Sequence, residues 1–305
     1  MSSGSRLNKF LISAFGSLLL ICTQCYAAES YRLEAGVNQS QDEAVSFSSD
    51  EVEGRLTIYF SPVQFGGYPY AEAKFVDRHS GFEVSGSKFG GEYGKYRDSG
   101  AMYSGAVFFS HNLSPLSVTV SYEKKTKNSH GELENSDLDG NKKKLKFIYH
   151  LSRYSALSIA YFRQYEQLVY AENLMIDTDT SGHVVNLHHL SLLEGNRYFS
   201  LDVNYSEDKG ERKLNELENG SDSSLLYFSA KGVFYPNKTF GIGIEYSRYQ
   251  DNYDDGEVTF VGRSSSFYLV KYIGHRASAE FTFTQYLFDG DDDAKGARLR
   301  LAYKM

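Results

Sequence analysis

The tripeptide His-Leu-Ser occurs twice, at 150–152 and at 189–191. In an extended chain the first and third residues of a triplet share a face, so each occurrence sets a histidine beside a serine. Such a pair can serve as base and nucleophile when a third polar group orients the imidazole. Neither pair has an asparagine or carboxylate neighbour in sequence that would supply that group. His188 and His189 point to opposite faces of an extended segment, which argues against joint metal coordination. The acidic stretch "DGDDDAKG" at 289–296, with Asp289, Asp291, Asp292 and Asp293, lacks the spaced ligands and closing glutamate of a calcium loop. The chain also carries no glycine-rich phosphate cradle, no Gly-x-Ser-x-Gly and no His-Glu-x-x-His. These residues predict no enzyme, no metal and no cofactor.

The elements that hold such residues begin after an export signal. Arg6 and Lys9 precede a short apolar run from Phe10 to Cys22, and small residues follow at Ala27 and Ala28. That order predicts a cleaved signal peptide over 1–27 and a single domain over 28–305. Both cysteines, Cys22 and Cys25, fall in the signal, so the exported chain has no disulfide and no thiolate chemistry. Loss of Arg6 and Lys9 moves the formal charge from −7 to −9. An acidic exported chain excludes nucleic acid as a natural partner, because phosphate binding requires a basic face.

Strand-forming residues dominate what remains: 25 tyrosines, 21 phenylalanines and no tryptophan. Alternation of period two is clear in "YRLEAGVN" (31–38), "RLTIYF" (55–60), "FEVSGS" (82–87), "SVTVSYE" (117–123), "YFSLDVNYS" (198–206), "FGIGIEYS" (240–247) and "ASAEFTFT" (277–284). Less regular segments lie near 99–110, 142–151, 156–167, 183–193, 224–234 and 258–272. The chain closes on "GARLRLAYKM", with Leu299, Leu301, Tyr303 and Met305 on one face and Arg298, Arg300 and Lys304 on the other. A terminal strand with no tail must find a partner for its edge, and the first strand is the natural one. The expectation is an all-β, transmembrane antiparallel β-barrel of about 14 strands, with 12 or 16 as alternatives, and both termini periplasmic.

Short turns are predicted at "HNLSPLS", "SRYS", "EGNR", "YPNK" and "GHR", and longer acidic outer loops at 38–51, 124–141, 168–182, 207–223, 251–257 and 289–296. All four prolines, Pro62, Pro69, Pro115 and Pro236, are expected in periplasmic turns. Tyr59, Phe60, Tyr149, Tyr198, Phe234, Tyr235, Tyr272 and Tyr303 are assigned to one interfacial girdle, and Tyr96, Tyr165, Tyr170, Tyr249 and Tyr253 to the other. The lysines of "NKKKLKF" (141–147) are expected at the outer rim, near lipopolysaccharide phosphates. Residues 61–80 are too long for a tight turn and fit either an extra half-strand or a segment tucked into the barrel base.

That stretch also carries a resemblance. A strand ending in "YFSPV", the step "GGYP", then "YAEAKF" and Arg78-x-Ser80 resemble the general porins of Gram-negative bacteria over residues 58–80. The resemblance implies a cell outer-membrane channel for passive diffusion of small polar solutes, delivered by the barrel-assembly machinery and embedded in lipid and lipopolysaccharide. Alternation then assigns Arg32, Glu34, Arg55, Glu83, Glu123, Lys146, Asp202, Lys231, Glu245, Glu280, Arg298 and Arg300 to the pore lining, and Asp289, Asp291, Asp292 and Asp293 to selectivity at the mouth. The competing readings are a barrel hydrolase acting on lipid or peptide through His188, His189 or Ser191, and a barrel that binds partners through its outer loops. Outer-membrane phospholipases join a histidine, a serine and an asparagine in this way. Oligomeric state, solute and an open or plugged lumen are left undetermined by the chain.

Overall fold

The structure is a computed structural model that describes residues 31–304, apart from 43–46, 61–67, 70–71, 73–77, 94–95, 112–113, 132–134, 171–173, 215–220, 254–256, 274–276 and 289–293. Fourteen strands follow one another. The first seven are β1 (Tyr31–Asp42), β2 (Phe47–Tyr59), β3 (Gly81–Tyr93), β4 (Tyr96–Ser110), β5 (Leu116–His130), β6 (Asn135–Ser152) and β7 (Ser155–Tyr170). The second seven are β8 (Met175–Leu193), β9 (Arg197–Leu214), β10 (Ser221–Asn237), β11 (Phe240–Tyr253), β12 (Glu257–Ile273), β13 (Ala277–Phe288) and β14 (Ala294–Lys304). Each pairs with its sequence neighbours, and β14 pairs with β1 from Glu34↔Lys304 to Asp42↔Gly296, so the sheet closes without an edge.

The strands are longer than alternation alone indicates. They run from 11 to 19 residues, whereas a tilted membrane strand needs only ~9–11. Most of the expected outer loops are therefore ladder: the 124–141 connection is paired from Lys124↔Asn141 to His130↔Asn135, and 207–223 is paired from Glu207↔Leu226 to Arg212↔Ser221. The physical reason is that both faces of these hairpin tips meet water. Hydropathy then loses its period while backbone pairing continues. The lysine run is corrected in the same way, since Lys142, Lys144 and Lys146 lie within β6 on the face that pairs with Glu123, Ser121 and Thr119.

One face of the cylinder is apolar and exposed. Val107, Phe109, Val120, Tyr122, Leu145, Phe147, Ile159, Leu187, Ile244, Phe281 and Leu301 belong to it, and Val120 keeps 51% of its surface accessible. Without a lipid phase, that belt would leave a large apolar area in water. Lysine at Val120, centred between Leu116 and Lys124 on the outward face of β5, is expected to destabilise the barrel by about 2–4 kcal/mol in lipid. Lysine at the inward-facing Ala106 is expected to cost much less. Urea unfolding of both variants in vesicles checks the assignment, and equal costs would reverse it.

Parity also corrects the aromatic assignment. Tyr59, Tyr198, Tyr235 and Tyr272 are 3–8% exposed and face inward, whereas Phe60, Tyr149 and Phe234 remain outside at the base. Adjacent aromatic residues such as Tyr59 and Phe60 cannot both face lipid, because successive side chains alternate. Tyr198 and Tyr235 join Leu190, Val233, Val270 and Tyr272 in an apolar cluster inside the barrel. Pro69 is fully buried rather than in a surface turn, and Pro236 lies at the end of β10, where the register to β11 shifts between Phe234 and Asn237.

Candidate functional site: the barrel interior

An apolar cluster inside a barrel needs something to pack against. The connection from β2 to β3 supplies it. Tyr68 packs on the cluster and meets Tyr154 edge-on at 5.9 Å, with the Arg153 guanidinium 5.1 Å from its ring. Glu72 is 6% exposed, and Tyr235 Oη donates to its Oε1 at 3.0 Å. Its Oε2 lies 3.0 Å from His188 Nε2, an ion-pair contact that falls off the line of a hydrogen bond. The other ring nitrogen of His188 holds Asp202 Oδ1 at 2.7 Å. Gly241 makes room for this arrangement, because a Cβ there would come within 2.8 Å of the Tyr235 ring.

The placement of Glu72 spans the bore. In the ring order β9 lies seven strands from β2 in either direction, so Asp202 and His188 stand on the wall opposite the strands that carry the connection. Fourteen strands ~4.8 Å apart and tilted ~40° enclose a cylinder about 28 Å across. Twenty residues can extend ~66 Å, enough to cross and return. The return limb is also tied down. Arg78 donates to the carbonyls of Ser114 and Ser152 at 3.4 and 3.1 Å, and Ser80 Oγ donates to Ser110 O at 2.7 Å. Of the two alternatives left for 61–80, the described residues fit the segment tucked into the base.

The histidines sort by face. His150, expected at a turn, is buried inside, with Nε2 3.0 Å from Ser117 Oγ, which donates to Ser110 Oγ at 2.8 Å. His189 faces outward between Ser155 Oγ at Nδ1 (2.7 Å) and Ser191 Oγ at Nε2 (2.8 Å). That trio sits on a flat sheet face and contains no carboxylate or amide orienting group. His188 is engaged by the connection and by Asp202, so the paired histidines share no ligand site. No cluster of three metal-ligating side chains occurs among the described residues.

Cross-strand register carries the twelve residues assigned to the lining onto a single face. Arg55 approaches Glu83 Oε1 at 3.6 Å, and Thr57 Oγ1 donates to Glu83 Oε2 at 2.9 Å. Glu123 pairs in register with Lys142, Asp202 with Lys231, and Lys231 with Glu245. Glu280 is opposite Arg300, and Arg298 opposite Thr282. Lys146 sits between Thr119 and Ala160. For Arg32, Glu34, Arg298 and Arg300 only the backbone register is described, while Asp289, Asp291, Asp292 and Asp293 fall outside the described residues. Sequence reasoning missed Glu72, His188 as its partner, and Tyr235. The only available signal was the excess length of 61–80.

A closed antiparallel sheet with a charged, hydroxyl-rich interior and an apolar belt outside decides the architecture. The fold is that of an outer-membrane β-barrel. Solved structures agree. Omp33 of Acinetobacter baumannii has a TM-score of 0.51 at 10% identity, covering 90% of this chain and 98% of that one. The monoaromatic hydrocarbon channel CymD has 0.54 at 10% identity, covering 91% and 88%. OmpT, an outer membrane protein of Vibrio cholerae, has 0.51 at 8% identity, covering 92% and 99%. No protein-family model and no curated protein matches the chain. The belt and this fold put the barrel in the outer membrane of a Gram-negative cell.

Proposed function

We propose that the barrel is a porin-like channel, of the general porin kind, through which small polar solutes diffuse passively. The observation that carries this reading is the polar interior: charged side chains of both signs and rows of serine and threonine line a cylinder too wide for its own side chains to fill. The connection tied through Glu72 narrows the base and restricts passage to small solutes. Export by a signal over 1–27, insertion by the barrel-assembly machinery and contact with lipopolysaccharide belong to the same proposal. No chemical turnover is part of it.

The mouth aspartates extend the reading. Asp289, Asp291, Asp292 and Asp293 connect β13 to β14, and their clustered charge enriches cations at the outer opening. Planar-bilayer recordings test both points. Stepwise conductance with a weak cation preference is expected, strongest at low ionic strength, because exposed charges are screened over ~10 Å at 0.1 M salt. Replacing the four aspartates by asparagine is expected to move the reversal potential toward zero without affecting assembly. Absence of conductance defeats the channel, and an unchanged reversal potential defeats the mouth assignment.

A further inference from the structure

Beside the narrowed base, the inner wall formed by β10 to β14 carries a cavity of about 530 Å³, within the ~300–1,000 Å³ range of small-molecule sites. Its composition differs from the rest of the lumen. Two hydroxyl pairs run along it, Ser247 with Ser264 at 2.7 Å and Ser266 with Thr284 at 2.9 Å, and Thr282 adjoins them. Each pair uses only one of its two O–H groups internally, so it keeps a donor and several lone pairs for a guest. Tyr268 anchors the lower end. Its hydroxyl donates to Glu280 Oε2 at 3.2 Å, and Lys231 Nζ stands 3.9 Å over its ring. Tyr227 and Tyr286 supply further aromatic surface. Glu245, half-buried in this wall, has no hydrogen-bond or ion-pair partner among the described residues.

Resting on the channel reading above, we propose that this cavity is a binding subsite for a small, neutral polyhydroxylated solute, mono- to disaccharide in size, with Glu245 accepting hydrogen bonds from two of its hydroxyls. Three features point to that class. The hydroxyl pairs offer donors and acceptors at the spacing of vicinal hydroxyls. The carboxylate of Glu245 can accept two O–H bonds at once without requiring a charged guest. Tyrosine faces meet the C–H faces of a ring, which water solvates poorly. A permanently cationic guest fits less well, because Lys231 stands in the same wall beside its aromatic anchor.

The test uses the full-length barrel refolded in detergent and in planar bilayers, with sucrose, spermidine and a polyethylene glycol of sucrose size as probes. Sucrose is expected to interrupt single-channel current and to bind in equilibrium dialysis, whereas the glycol, lacking vicinal hydroxyls, is not. Glu245→Gln is expected to weaken sucrose binding about tenfold, the loss of one charge-assisted bond, and Ser266→Ala with Thr284→Ala to weaken it further. Binding of spermidine in preference to sucrose, or sucrose binding unchanged by Glu245→Gln, overturns the subsite. Dialysis keeps the two readings apart: sucrose binding without conductance defeats the channel and supports the subsite, while conductance without sucrose binding does the reverse.

Discussion

Deleting residues 297–305 abolishes assembly of the barrel. β14 contributes two ladders, nine register pairs with β1 and ten with β13. Most of both disappear with the deletion, exposing two strand edges where backbone groups have no water to bond in lipid. An unpaired polar backbone group there costs several kcal/mol, and a row of them exceeds the ~5–15 kcal/mol that holds an ordinary domain together. The truncated protein is expected to be absent from the outer membrane and degraded in the periplasm. Recovery of a heat-modifiable barrel in the outer-membrane fraction would show that a thirteen-stranded closure suffices.

Replacing residues 61–79 with a two-residue Asn-Gly turn raises conductance several-fold while leaving the barrel intact. The pairing Tyr59↔Gly81 and the hydrogen bond from Phe60 N to Ser80 O already bring the strand ends together, so a tight hairpin turn fits the register. Nothing in the ladders of β2 and β3 depends on the removed residues. What is lost is the tether through Tyr68, Glu72 and Arg78. Glu72→Ala tests the central contact with a single change. It removes the carboxylate that Tyr235 and His188 address, and loss of one partner from a buried ion pair costs about 3–5 kcal/mol. That cost falls on docking of the connection, so the variant is expected to show larger current fluctuations with an unchanged unfolding transition. Conductance unchanged by the 61–79 replacement would mean that the connection does not limit passage.

The sequence by itself determined the architecture through two residue-level signals. Alternation such as Leu299, Leu301 and Tyr303 against Arg298 and Arg300 sets a strand with one apolar and one charged face, and fourteen such segments leave closure as the way to protect the last edge. The same parity determined that Glu83, Asp202, Glu245 and Glu280 share a face, since period two is a property of the backbone alone. Strand ends were not legible. Around 124–141 both faces are solvated, so the apolar signal fades although pairing continues.

Only the tertiary structure decided what occupies the base. Glu72 and Tyr235 hydrogen-bond across 163 positions of sequence, and His188 reaches Glu72 from a strand on the far wall. Closure of the cylinder brings them together, and no local pattern encodes a meeting across a diameter. The inward turn of Tyr59, Tyr198, Tyr235 and Tyr272 has the same origin. A tyrosine at a strand end suits a lipid interface or an apolar interior equally well, and the choice falls to the interior because the returning chain supplies Tyr68, Pro69 and Glu72 for it to pack against.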